Sequence, residues 1–143
     1  MERRDYLERQ IEMMAKTLAA LIRRLMGIDF KEDGQEVEKI TNTTLKDELD
    51  ITLDDILIVP SVEICDYLTS EKNIRREWIE ALADIMVLNA KATDDQQHRE
   101  TLLQYALEML FWLDKSTSTF SFERHDKRNE ILEMLGMDQK RET

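Results

Sequence analysis

Apolar residues at Leu7, Ile11, Met14, Leu18, Leu21 and Leu25 recur at alternating spacings of four and three. That spacing places them on one helix face over about three heptads. Gly27 stands where such a helix ends. Arg23 and Arg24 occupy its last turn, where cations complement the negative end of the helix dipole. Ala15 and Ile22 widen the stripe on one side. A stripe of this kind serves either the core of its own domain, the commoner use, or the seam of a coiled-coil homodimer. After a loop over 28–34, a weaker helix is predicted from about 35 to 49, with Val37, Ile40, Thr44 and Leu45 inward. Thr41, Thr43 and Thr44 lower its intrinsic propensity, so it depends on packing.

Thr52 can cap a short turn over 53–58, with Asp55 at the third position of a capping box. The run Ile56-Leu-Ile-Val59 has a strand's composition but no second strand signal to pair with, so it reads as a helical turn stopped by Pro60. Ser61 then caps another short helix, to about 69. Asn73 is the expected cap of a long helix over 74–91, with Ile74, Trp78, Leu82, Ile85 and Met86 inward. Thr93 to Gln96 fits a capping box for another, over 94–115. Between Leu102 and Leu113 that helix is polar only at Gln104 and Glu108, which predicts it as the centre of the fold. Ser121 caps a last helix with Phe122, Ile131, Leu132 and Leu135 inward, Gly136 ends it, and 136–143 should fray. The expectation is an all-α chain, one domain over 1–143, built as a bundle of about five to seven helices.

Three glycines and one proline in 143 residues exclude collagen-like and Pro/Gly-rich disordered classes, and they disfavour a β-sandwich with its many turns. The net charge of −11 repels nucleic acid and anionic membranes, so neither is an expected partner. Its distribution is uneven: residues 27–70 hold twelve acids against three bases, whereas residues 1–26 carry a net +2. The excess serves as a solvated face that keeps the chain soluble or as a docking surface for a basic protein. In the docking case Glu36, Glu38, Asp47 and Glu48 are the expected contacts. Cys65 is a lone cysteine in an apolar run, which excludes an internal disulfide and favours a buried, inert thiol. The charged start lacks the apolar stretch of a signal peptide, and uncharged runs such as 56–62 fall far short of the ~20 residues of a membrane span. A cytoplasmic location is expected.

Two stretches carry a resemblance. Asp5-Tyr-Leu-Glu-Arg-Gln-Ile-Glu-Met-Met14, leading into the Leu18–Leu25 stripe, and Thr119-Phe-Ser-Phe-Glu-Arg124 resemble small, uncharacterised, all-helical bacterial proteins with tetratricopeptide-like packing. The helix order between them is similar too. The resemblance covers most of the chain and implies a fold, with a long helical hairpin, but no activity. Ala83 and Ala106 are small residues on its two helices, yet no 34-residue self-similarity is visible, so the chain is one elongated hairpin of that kind and not a repeat array.

Candidate chemistry is sparse. His98 and the pair His125-Asp126 imitate two elements of an all-helical metal phosphohydrolase, but the acids that follow crowd at the chain's end. Glu77-x-x-Glu80 and Glu123-x-x-Asp126 place two carboxylate pairs on helix faces, as in helical nucleoside triphosphate pyrophosphatases that bind Mg²⁺. The 42 residues between the pairs exceed what that class uses. No phosphate-cradling glycine loop and no nucleophile elbow is present. Trp78 and Trp112 fit a core better than a ligand platform. The leading expectation is therefore a non-enzymatic interaction module without a cofactor, binding a protein or itself. A metal-dependent phosphohydrolase is the alternative.

Overall fold

A computed structural model describes residues 2–142, with side chains described over 3–136. Among the described residues the chain forms seven α-helices, one 3₁₀ turn and no strand. In order these are α1 (Glu2–Met26), α2 (Phe30–Leu49), α3 (Leu53–Ile58), the 3₁₀ turn (Ser61–Glu63), α4 (Ile64–Ser70), α5 (Arg76–Ala92), α6 (Gln96–Thr117) and α7 (Phe122–Glu142). One apolar core draws residues from all seven helices, among them Leu18, Leu45, Ile56, Leu68, Ile85, Leu110 and Ile131. No described helix is long and apolar enough to cross a membrane.

α5 and α6 form the predicted long antiparallel hairpin, in which Ala83 and Ala106 are both buried. The centre is α6 together with α5, for α6 also packs on α4, the 3₁₀ turn and α7. α5 packs on α1, α2 and α6, and ion pairs tie it to α7. Its small and aliphatic residues Ile79, Leu82, Ala83, Ile85, Met86 and Ala90 let neighbours approach from several sides. α6 carries bulkier groups outward: Phe111 is exposed beneath the Arg128 guanidinium, 5.2 Å from its ring centre. α1 and α7 both run alongside α5 in its own direction. The Trp78 indole N–H donates to the Ile11 carbonyl (3.2 Å) near the start of α5. Arg124 pairs with Glu80, and further along Glu130 pairs with Lys91.

Local signals succeeded where they were self-contained. Thr52 and Asp55 form the predicted capping box: Asp55 N–H donates to Thr52 Oγ1 (3.2 Å), and Thr52 N–H donates to Asp55 Oδ2 (2.9 Å). The stripe of α1 enters the chain's own core at Leu18, Leu21 and Leu25, is half-buried at Ile11 and Met14, and is exposed at Leu7.

Several boundaries move. α2 starts at Phe30, capped by Asp29, whose carboxylate accepts from the Lys31 and Glu32 amides. The helix kinks at Asp33, beside Gly34, so 28–34 is mostly helix and not loop. Asn73 does not cap α5. It takes a left-handed conformation (φ 56°) that closes α4, with the Ile74 N–H donating back to the Leu68 carbonyl (2.9 Å). α5 therefore begins at Arg76. Ser61 makes no side-chain cap. α6 is capped by Asp95, two residues beyond the expected Thr93, through the His98 amide. Phe122 and Leu132 are exposed instead of inward; Phe122 lies beside the Phe120 ring, edge to face, at the mouth of the α6–α7 turn. Gly136 does not end α7, which continues to Glu142. The expected fraying of 136–143 falls almost wholly outside the residues whose side chains are described.

Candidate functional site

The two acid pairs do not converge on one point. Glu77 pairs with Arg75 (3.4 Å), and Asp126 is exposed without a side-chain partner among the described residues. Glu80 and Glu123 do meet, but around a lysine. The Lys127 ammonium lies 2.7 Å from Glu80 Oε2, 3.1 Å from Asp84 Oδ2 and 3.6 Å from Glu123 Oε1. Next to it, Arg124 reaches Asp114 (2.7 Å) and Glu80 (3.6 Å), and Arg128 reaches the other oxygen of Asp114 (2.9 Å). Lys127 and Arg124 thus supply the positive charge that a divalent cation would otherwise bring.

Burial pulls against this network without undoing it. It keeps the Asp84 carboxyl above its usual range, although Lys127 lowers it again in part. For Lys127, burial favours loss of the proton, but the hydrogen bond to Glu80 and the charge of Asp84 outweigh it and hold the ammonium above the ordinary lysine value. Lys127 therefore stabilises the fold fully below the ordinary lysine pKa, and this contribution fades only as the pH rises through its folded-state value. Lys127 and Arg124 are joined here to carboxylates of α5 that lie 43 to 47 residues away in sequence, which no local pattern signals.

The histidines are also kept apart. His98 lies in the first turn of α6, whereas His125 rests beside Phe120 (5.7 Å) and Arg128, next to the C-terminal end of α6. From His98 to Asp114, the partner of Arg124 and Arg128, is about 24 Å along the helix. No group of three or more His, Cys, Asp or Glu side chains among the described residues is arranged to hold a metal.

Cys65 is buried, and burial pushes its thiol up to about 12, with Asp66 and Glu108 adding to the shift. Alkylation by iodoacetamide at pH 8 should therefore run about 10³-fold slower in the folded protein than for a free thiol, because the thiolate is the reactive form. A rate near that of the urea-unfolded chain would show Cys65 to be accessible and ionised.

The acids of 27–70 behave differently from those in the α5–α6–α7 seam. Eleven of the twelve are exposed, and Asp50, paired with Lys46 (2.9 Å), is the sole one in an ion pair among the described residues. Glu36, Glu38, Asp47 and Glu48 are all exposed on α2, and none has an ion-pair or side-chain hydrogen-bond partner among the described residues. They divide into two groups about 16 Å apart along the helix. Glu36 and Glu38 border a depression at the end of α5, together with Asp94 and Asp95, and Asp47 and Glu48 lie near the far end of α2. The depression could not be read from sequence, because its walls come from two distant segments. The capping spacing Asp29-x-x-Glu32 is the one local signal that would have placed α2 on its rim.

No protein-family model matches the chain, and neither a curated protein nor a solved structure matches it.

Proposed function

We propose that the protein is a non-enzymatic helical interaction module whose α2–α4 side receives a basic protein partner. The contrast between the two sets of acids carries this reading. Where acids pack between helices, at Glu80, Asp84 and Asp114, arginine and lysine neutralise them. Where they stand on the α2–α4 side, nearly all are left without a countercharge. From Asp47 to Glu71 eight acids occur without a single Lys or Arg. The surface field this creates speeds encounter with a cationic surface. The buried α5–α6 hairpin supports the tetratricopeptide-like packing expected from the resemblance.

A partner captured from the native host should bind with an affinity that falls steeply as salt rises, because the Debye length shrinks from ~10 Å at 0.1 M to ~3 Å at 1 M. Neutralising Glu36, Glu38, Asp47 and Glu48 together should slow association about tenfold at low salt and leave stability nearly unchanged. An affinity indifferent to both salt and these substitutions would remove the docking reading. The phosphohydrolase reading draws on the meeting of Glu80 and Glu123, and it requires a metal to displace Lys127. Millimolar Mg²⁺ or Mn²⁺ raising the melting temperature by several degrees would favour it, since a ligand specific to the native state stabilises that state.

A further inference from the structure

Where α5 stops, the chain encloses a depression of about 450 Å³ between the first turns of α2, the α5–α6 turn and the start of α6. Its floor includes Asn89, a polar residue only 4% exposed. The Asn89 Nδ2 group donates to the Ile85 carbonyl (2.9 Å) and to Thr41 Oγ1 (3.0 Å). The Ile85 carbonyl can only accept, so the amide's orientation is fixed and Oδ1 turns the other way. Oδ1 has no hydrogen-bond partner among the described residues. That oxygen is not sealed from solvent: Asn89 lines the depression, so a donor entering there can reach it.

The walls carry the same preference. Glu32, Asp33, Glu36 and Glu38 come from α2, and Asp94 and Asp95 from the turn, against Lys31 and His98. The two helix N-termini nearby do not reverse it. Asp29 and Asp95 already accept from their first-turn amides, so those amides are not free for a phosphate or sulfate. The lining offers acceptors and negative charge, the complement of a planar, donor-rich cation.

Resting on the reading of a basic partner above, we infer that this depression is the partner's anchor point and takes an arginine side chain. Its guanidinium donates to Asn89 Oδ1 at the floor and to the Glu36 and Asp94 carboxylates at the rim. Arginine fits better than lysine, because five N–H donors in a fixed fork can serve floor and rim together, whereas an ammonium is a point charge.

The test is a ¹⁵N NMR titration of the full chain with a short arginine-containing basic peptide and with a peptide of equal charge carrying lysine instead. The arginine peptide should bind several-fold tighter, and its largest shifts should fall on Gly34, the Asn89 side-chain amide and residues 93–98. Glu36→Gln with Asp94→Asn should weaken it about tenfold. Asp54→Asn with Glu63→Gln removes equal charge from the same acidic side outside the depression and should change affinity less than about twofold. Equal loss from both double variants, equal binding of the two peptides, or shifts spread across α2–α4 would overturn the anchor while leaving a diffuse acidic docking face intact. Binding of neither peptide, with a captured partner insensitive to salt, would overturn both readings.

Discussion

Leu110→Ala should lower the unfolding free energy by about 2–5 kcal/mol, since truncating a buried leucine loses transfer energy and leaves a cavity. Leu110 is 1% exposed on α6 and stands among Ala83, Val87 and Ile131, where α5, α6 and α7 meet. The loss would therefore loosen two interfaces together. Gln104→Ala, on the exposed face of the same helix, should stay within about 0.5 kcal/mol. Glu108 is half-buried, so Gln104 is the cleaner control. Urea unfolding of the two variants decides the matter: the midpoint should drop for Leu110→Ala with the slope unchanged. Similar midpoints would mean that α6 presents a different face to the core.

Gly34→Ala should reverse the sign that helix propensity alone assigns. In an ordinary helix interior, replacing glycine by alanine gains roughly 0.5–1 kcal/mol. At Gly34 an added Cβ would run into the Ala92 carbonyl oxygen, a backbone atom at the end of α5 that no side-chain rotation can move away. Either α2 lifts from α5 or the α5–α6 turn shifts, and both movements strain the Asn89–Thr41 hydrogen bond. The expected cost is about 1–3 kcal/mol, as for overpacking elsewhere. Gly136 supplies the internal comparison: it lies within α7 with nothing within 4 Å of an added Cβ, so Gly136→Ala should stabilise by about 0.5–1 kcal/mol. Thermal unfolding that shows both variants stabilised would deny the close approach of α2 to α5.

Sequence was a good guide wherever the cause lay within a turn or two of the effect. The Thr52–Asp55 box, the stop at Pro60 and the Leu18–Leu25 face follow from local hydrogen bonding and helical period, and each stands in the fold as expected. It misled where a residue has two local uses. Asn73 suits a helix start by its side chain and a helix end by its tolerance of positive φ, and the second use prevails. It was silent where two segments meet. The Asn89–Thr41 bond spans 48 residues and the Lys127–Glu80 pair 47, and neither leaves a periodic trace. The same limit applies to the candidate site. The acids of α2 were legible as an excess of charge, but their division into a rim around Asn89 and a separate group at Asp47 and Glu48 follows only from where α5 ends.

The placement of the two tryptophans gives the molecule a pair of native optical reporters. Trp78 is half-buried at the contact between α1 and α5, its indole N–H on the Ile11 carbonyl, whereas Trp112 faces α4 through Asp66 (3.4 Å). Indole emission shifts to the red when the ring meets water, so the two rings answer to different events. With one tryptophan replaced by phenylalanine, the other reports whether α1 peels from the bundle before α4 and α6 part. The chain thus carries, without added dyes, a spectroscopic means of ordering its own disassembly.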